Sequence, residues 1–404
     1  MLKSLFYAGG IDLPMRQARA VQTLHTARAL AAHGCRVTLA AARTPRRGLV
    51  DALAGYGLSP HPNLTILSLP TVRLPELPLA ALAHPRLAVR NWSYALSALL
   101  ALRLLPADRR PALVLARDPR VAWLFLNARG FSGARVVYEV HEIFSTGARE
   151  PVGRAGPLPL LRIPRLRRLE QSVFNAASHC ITLTECCRQL LVREFGVSPE
   201  RVFVAPDAVA HVPAQLPQRA AEARGIVYAG QLYPWKGVDT LVRALAFLPR
   251  ARLKIVGGLA EGDPQAQALR ELARELALAD RIDFTGFIPH HRVAGAISDS
   301  AAAVIPLPAN PMARYFTSPL KLYEYMAAGL PIVATDLPAI REVLRHDQNA
   351  LLVPPGDAPA MAAALDRLLS EPELAERLRS RAFEDVKDRT WASRAATIAE
   401  RLDV

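Results

Sequence analysis

Cysteine, lysine and long apolar runs are scarce in this sequence. The 404 residues include four cysteines, none of them in CxxC spacing, which argues against a disulfide framework or a zinc site. No apolar run reaches the roughly 18 residues that a membrane-spanning helix needs, and no basic leader precedes the first apolar stretch. We therefore expect a reduced, cytoplasmic chain without a signal peptide.

Acidic residues are scarce in the first half only. Residues 1–215 carry 27 basic and 13 acidic side chains, whereas the remainder carries 23 of each. A basic half beside a neutral half indicates that one domain faces an anionic partner, such as a membrane surface, a phosphorylated acceptor or nucleic acid. No nucleic-acid recognition motif accompanies the charge, so we do not expect nucleic acid as a partner.

The densest basic segment is residues 149–168, with six arginines against Glu150 alone. This pattern is typical either of a solvated loop that leads into a helix or of a surface that binds anionic lipid head groups. Each basic residue near such lipids contributes roughly 1 kcal/mol, which would hold the protein weakly and reversibly. Peripheral association with the inner membrane face is therefore one of two open interpretations.

Apolar strands and amphipathic helices alternate along the chain, which predicts two successive doubly wound α/β domains. The pattern breaks in a Pro- and Ala-rich stretch. We predict an N-terminal domain at 1–208, a linker at 209–224, a second domain at 225–375 and C-terminal helices at 376–404. Predicted strands are 2–8, 37–41, 111–116, 135–140, 180–183, 226–229, 252–256, 282–285, 303–306 and 332–334.

The segment GQLYPWKG at 230–237 follows the first strand of the second domain and runs into a helix. A glycine turn and a lysine before a helix N-terminus suit a phosphate, because backbone amides and the ammonium both attract an anion. The contact of Lys236 would be worth roughly 1.5–3 kcal/mol, more than the helix dipole. A solvated lysine is the alternative.

The segment at 317–329 predicts a well-defined helix. Ser318 is expected to cap it, Pro319 to take its first position and Gly329 to end it. Lys321 and Glu324 share one face. Either the two form an exposed ion pair worth a few tenths of a kcal/mol, or the helix N-terminus meets a phosphate while Glu324 accepts hydrogen bonds from sugar hydroxyls.

Three segments together resemble the retaining glycosyltransferases of family 4, which have the GT-B fold. They are GQLYPWKG at 230–237, FTGFIP at 284–289 and SPLKLYEYMAAGLPIVA at 318–334. The N-terminal half resembles the family through Gly9-Gly10, ARDP at 116–119 and VYEVHE at 137–142. Thr390-Trp391 resembles the start of the family's last helix, which crosses back to the first domain.

The resemblance implies metal-independent, cofactor-free transfer of a sugar from a nucleotide-diphosphate donor, with retained anomeric configuration. The acceptor would be a glycan or a lipid-linked molecule of bacterial surface polysaccharide synthesis, held by the N-terminal domain. Motif positions imply catalytic roles for His141, Lys236 and Glu324. The implied donor-binding residues are Gly10, Gly230, Gln231, Lys236, Phe287, Ile288, Ser318, Pro319, Leu320, Lys321 and Glu324.

Each implied role follows a motif position. Lys236 and the backbone amides of 318–320 would hold the diphosphate, and Gly10 would let the opposite domain approach it. The backbone at 287–288 would meet the nucleobase and Glu324 the ribose hydroxyls. By the same resemblance, the histidine of the VYEVHE motif would lie beside the sugar.

Two positions depart from the family pattern. Gln231 stands where the family usually has arginine, which removes one positive charge from the diphosphate site. Lys321 is the nearest candidate to replace that charge. Phe316 stands where the family commonly has a glutamate that contacts the donor sugar.

Alternatives to a transferase stay open. An epimerase of the same fold would need acid and base carboxylates in the cleft, and the motifs supply Glu324 alone. The two departures also fit a catalytically degenerate partner subunit. A dinucleotide-dependent oxidoreductase is disfavoured because residues 8–12 lack the spaced glycines of that motif.

Overall fold

The computed structural model describes residues 3–13, 17–44, 49–73, 83–106, 110–128, 133–147, 163–218, 225–258 and 263–404. Within these ranges the chain forms two parallel β-sheets, each packed against helices on both faces. This confirms the predicted two-domain α/β architecture. Among the described residues, no helix is long and apolar enough to cross a membrane.

Seven described strands form the first sheet, in the order β3-β2-β1-β4-β5-β6-β7. Adjacent strands pair in parallel throughout, and their side chains are mostly buried. The bounds are β1 Ser4–Ala8, β2 Arg36–Ala41, β3 Leu64–Ser68, β4 Leu113–Ala116, β5 Arg135–Val140, β6 His179–Thr182 and β7 Val202–Val204.

The second sheet repeats this order with six described strands, β10-β9-β8-β11-β12-β13, again in parallel. The bounds are β8 Ile226–Ala229, β9 Leu253–Val256, β10 Ile282–Gly286, β11 Ala302–Ile305, β12 Ile332–Thr335 and β13 Leu351–Val353.

Helices cover both faces of each sheet, with apolar side chains packed inward. Those associated with the first sheet are α1 Ala18–Ala32, α2 Leu49–Ala54, α3 Ala83–Leu104, α4 Pro119–Asn127, α5 Phe144–Gly147, α6 Ile163–Ala176 and α7 Glu185–Phe195. Those that follow are α8 Val238–Leu245, α9 Pro264–Glu275, α10 Val293–Ile297, α11 Leu320–Ala327, α12 Pro338–Arg341, α13 Ala358–Ser370, α14 Pro372–Val386 and α15 Trp391–Leu402.

In each sheet the strand order reverses beside its first strand, and ligands of such sheets bind at the carboxyl ends of strands near that reversal. The final helix, α15, packs on the first domain, where Ala395, Ile398 and Leu402 join its core. This matches what the resemblance implies for the end of the chain. The domain boundaries themselves remain a prediction.

The sequence pattern missed strands β3, β7 and β13. Strand β3 is an edge strand with half-buried side chains, and the other two are three residues long. A periodicity of two cannot be recognised in so few residues. These three edge strands are stabilised by pairing with the neighbouring strand of the sheet, which the local sequence does not specify.

Most of the arginine-rich segment 149–168 lies outside the described residues. Its last residues begin helix α6. There, the guanidinium of Arg167 lies 4.4 Å from the centre of the Phe195 ring and 3.6 Å from Glu194. Arg167 therefore contacts the protein itself, and the membrane interpretation stays untested.

Candidate functional site

A cavity of about 570 Å³ lies between the two domains at the carboxyl ends of their strands. Its size falls within the range of ordinary ligand sites. Nearly every residue that the sequence placed at a donor site lines it. These are His141, Gly230, Gln231, Lys236, Phe287, Ile288, Ser318, Pro319, Leu320, Lys321 and Glu324.

Gly10 is the exception. It lies outside the residues that line this cavity, with a positive φ of 58°. Its backbone N–H donates to the Tyr94 hydroxyl at 2.9 Å, and that hydroxyl donates to the Ala40 carbonyl. The structure therefore places Gly10 in the packing of the first domain, and its expected approach to a diphosphate stays a prediction.

Two lysine ammonium groups lie in the cavity without a salt bridge to any described carboxylate. Lys236 ends a short 3₁₀ turn, and its Nζ lies 3.8 Å from the centre of the Trp235 ring. Burial lowers the pKa of Lys236 to about 7. An aromatic face is a weak partner for a cation, so the site leaves this charge available to an anion.

Lys321 is the more deeply buried of the two, at 8% exposure. Its Nζ lies 3.6 Å from the centre of the Tyr228 ring and makes no hydrogen bond to a described residue. Burial, and then the nearby charge of Lys236, hold the pKa of Lys321 well below its usual range. Lys321 thus lines the cavity as expected, and its replacement of the charge missing at Gln231 stays a prediction.

Helix α11 begins one residue later than predicted, and the expected cap at Ser318 is wrong. Pro319 has extended backbone geometry and precedes the first helical residue, Leu320. The Ser318 hydroxyl accepts from the backbone N–H of Asp207 at 3.0 Å and lies 3.3 Å from the Tyr323 hydroxyl. Because its oxygen serves this contact between segments, it does not cap the helix.

Glu324 has a partner that the sequence analysis missed. The Nε2 atom of His290 lies 2.7 Å from Glu324 Oε1. Burial opposes a charge on His290, but the hydrogen bond to Glu324 and its charge outweigh it and raise the pKa of His290. The HH pair after FTGFIP could have indicated this contact, although only the fold brings the two segments together.

His141 directly follows strand β5 and lines the cavity, where the resemblance implies it. Its Nε2 lies 3.3 Å from Glu139 Oε1 and makes no hydrogen bond to a described residue. Burial, followed by the charge of Arg117, lowers the pKa of His141 to about 4. The imidazole is therefore neutral at neutral pH.

Glu139 is fully buried beneath His141 and is held from several elements. It accepts from the Tyr7 hydroxyl at 2.5 Å and from Gln22 at 2.7 Å. Arg394 of the last helix donates to the same carboxylate. These contacts fix the carboxylate beside the imidazole, and the sequence pattern contained nothing that predicted them.

Phe316 belongs to the packing between the domains. It is 2% exposed, lines the cavity and also joins the core cluster of the first domain. An apolar side chain therefore lines the cavity at the position where the resemblance implies a glutamate.

Two Rossmann-like domains that face one another across a cleft define the class of GT-B proteins. The N-terminal half matches the model of the glycosyl transferase 4-like domain over residues 19–208. The C-terminal half matches the model of glycosyl transferases group 1 over residues 223–371. The chain belongs to the group 1 glycosyltransferases.

Individual relatives are more distant. The lipopolysaccharide core biosynthesis glycosyltransferase LpsD of Rhizobium meliloti is 31% identical over 45% of this chain and 49% of its own length. The chain spans about half the length of several such curated relatives.

The solved structures cover the whole chain. Sucrose-phosphate synthase of Thermosynechococcus elongatus has a TM-score of 0.76 at 21% identity, covering 100% of this chain and 98% of its own. HepE of Anabaena, solved in complex with UDP-glucose, has a TM-score of 0.73 at 16% identity, covering 100% of both chains. At these identities the likeness confirms the GT-B fold.

Proposed function

We propose that this chain transfers a sugar from a nucleotide-diphosphate sugar to a glycan or lipid-linked acceptor in bacterial surface polysaccharide synthesis. Transfer retains the anomeric configuration and requires no metal. The donor lies on the second domain and the acceptor on the first. Family membership supports the reaction class, and the similarity to a lipopolysaccharide glycosyltransferase supports the pathway.

One observation carries the proposal. Lys236 and Lys321 place two ammonium groups in one cavity, neither of them paired with a carboxylate among the described residues. Keeping both amines charged away from water costs free energy, which is why the pKa values of both are lowered, and a ligand that supplies the opposing charge restores the charged forms. A diphosphate carries that charge in a compact form, and the first turn of α11 adds backbone amides beside it.

The same groups support a mechanism without a protein nucleophile. The leaving diphosphate gains negative charge as the glycosidic bond breaks, and the two lysines stabilise this charge. The acceptor attacks on the face from which the diphosphate departs, and the departing phosphate oxygen takes its proton. Neutral His141 donates or accepts a hydrogen bond at the sugar without adding charge.

The basic N-terminal half supports an anionic or membrane-borne acceptor. Its excess positive charge lies entirely in residues 1–215, which include the whole first sheet. Long-range attraction of this kind concentrates an anionic acceptor at the acceptor-side domain and weakens with salt. Peripheral association with the inner membrane face belongs to this part of the proposal.

Calorimetric titration with UDP and GDP tests the donor site. We expect one of them to bind the full chain, and Lys236→Ala and Lys321→Ala each to weaken that binding about ten- to a hundredfold. Lys254→Ala is the matched control, because Lys254 pairs with Asp299 outside the cavity and should leave affinity unchanged.

Turnover then distinguishes the reaction classes. Incubation with UDP-glucose or GDP-mannose and a lipid-linked acceptor should yield a glycosylated product with retained configuration, in the presence or absence of EDTA. An isomerised sugar with donor alone would instead indicate an epimerase. Binding of nucleotide without turnover across a broad panel of donors and acceptors would indicate a degenerate subunit.

A further inference from the structure

Asp207 lies where the chain leaves the first sheet, three residues beyond strand β7. It is 7% exposed and lines the same cavity as the two lysines. Its backbone N–H donates to the hydroxyl of Ser318, which comes from the second domain. Its carboxylate oxygen Oδ1 is buried and makes no hydrogen bond to a described residue.

The charges that act on Asp207 are those of Arg394, Glu139 and Arg117. Arg394 bonds to the carbonyl of the neighbouring Pro206 and to Glu139 and Thr26, and it forms no salt bridge with the Asp207 carboxyl. Burial raises the pKa of Asp207 to about 7. The lysines of the donor site are thus not the partners of this carboxyl.

A buried carboxyl oxygen without a hydrogen-bond partner indicates that its partner is a group of the bound ligand. Native proteins pair nearly all their buried polar atoms, and leaving one unpaired costs about 1–3 kcal/mol. An acceptor oxygen in this position needs a hydrogen-bond donor. The diphosphate offers only acceptors, so it could pair with this carboxyl only in the protonated form, whereas a hydroxyl group can pair with it in either form.

The hydroxyl groups of a sugar are donors of the required kind. His141 lines the same cavity from the first domain, whereas the lysines line it from the second. We propose that Asp207 accepts a hydrogen bond from a hydroxyl group of the sugar carried by the donor. The inference rests on the proposed function, since it concerns the sugar of the same substrate.

Paired titrations separate a sugar contact from a general role in folding. UDP and UDP-glucose form one pair, and GDP and GDP-mannose the other, each titrated into the full-length wild type, Asp207→Ala and Asp207→Asn. For the pair that binds, the dissociation constant of the bare diphosphate should change less than about twofold. That of the nucleotide sugar should rise about ten- to a hundredfold in Asp207→Ala, and less in Asp207→Asn.

Asp299→Asn is the control, since Asp299 is an exposed partner of Lys254 outside the cavity. Thermal unfolding checks integrity, and Asp207→Asn should unfold no earlier than wild type because it removes an uncompensated buried carboxyl. Equal losses for diphosphate and nucleotide sugar, or no loss for either, would overturn the inference while leaving the proposed function standing. Failure of wild type to bind any of the four nucleotides would overturn the proposed function, and this inference with it.

Discussion

Single residues at this site gain their chemistry from burial. A lysine on the surface is charged at every physiological pH, whereas Lys236 is held in the cavity with a pKa of about 7. Its charged and neutral forms are therefore close in free energy in the empty protein. An anionic ligand restores the full charge, so that binding of the ligand and protonation of the lysine are coupled.

This coupling predicts the pH dependence of nucleotide binding. Above pH 7 the free protein has lost the Lys236 proton and must regain it when the diphosphate binds, so affinity falls as pH rises. Between pH 7 and 8.5 we expect UDP or GDP affinity to fall about tenfold. Calorimetry in buffers of different ionisation enthalpy measures the proton uptake directly.

Lys236→Arg is the matched variant for this pH dependence, because arginine stays charged across the range. Its affinity should vary less with pH than that of wild type, with Lys321 supplying the remaining dependence. A wild-type affinity that stays constant from pH 7 to 8.5 would contradict a depressed pKa at Lys236.

At the scale of elements, a glycine sets where helix α8 begins. Gly237 joins the 3₁₀ turn 234–236 to α8 with a φ of 70°, in the left-handed region. A Cβ added there would lie 1.9 Å from the carbonyl oxygen of Pro306, which follows strand β11. The turn that carries Lys236 thus packs directly against the neighbouring strand end, and only glycine allows this approach.

Gly237→Ala should therefore cost stability twice, through the left-handed backbone and through the clash. We expect the free energy of unfolding to fall by about 2–5 kcal/mol in urea denaturation. Gly356→Ala separates the two causes, since Gly356 has a φ of 79° and open space where the Cβ would lie. It should lose only the conformational part, about 1–2 kcal/mol. Equal losses of unfolding free energy in the two variants would show that the contact with Pro306 does not affect stability.

At the scale of the whole molecule, contacts between distant segments hold the two domains in one arrangement. Glu342 of the second domain accepts from the backbone amides of Glu185 and Cys186, at the start of helix α7 in the first. Arg394 of the last helix bonds to Glu139 and to the Pro206 carbonyl at the exit from the first domain. The chain's last helix thereby supports the carboxylate beside His141.

Arg394→Met should destabilise the protein severely. It removes the cation that is bonded to the fully buried Glu139, and losing one partner of a buried ion pair costs about 3–5 kcal/mol. Chemical denaturation gives the value. Arg401→Met is the control on the same helix, because Arg401 is exposed and should change stability by at most about 0.5 kcal/mol. A loss as small for Arg394 as for Arg401 would refute a supporting role for this contact.

The local pattern of apolar and polar residues was enough to predict the repeated order of strands and helices, and short motifs were enough to locate the candidate donor site. Buried strands and amphipathic helices have distinct periods, and the predicted positions of β5 and β8 agree with the structure to the residue. Where the prediction erred, a distant contact decided the local outcome. Ser318 looked like a helix cap, yet its hydroxyl bonds to the backbone of Asp207, 111 positions away.

The sequence by itself determined the fold class, the family and the positions of the cavity-lining motifs, because these are encoded in short contiguous segments. Only the tertiary structure decided which buried polar atoms make no hydrogen bond within the protein. Nothing in the sequence distinguishes Lys321, Asp207 and His141 from other residues of the same types. Their partners and their burial depend on where the two domains meet. The pKa of a side chain and the availability of its polar atoms are properties of that surrounding space, which no local pattern specifies.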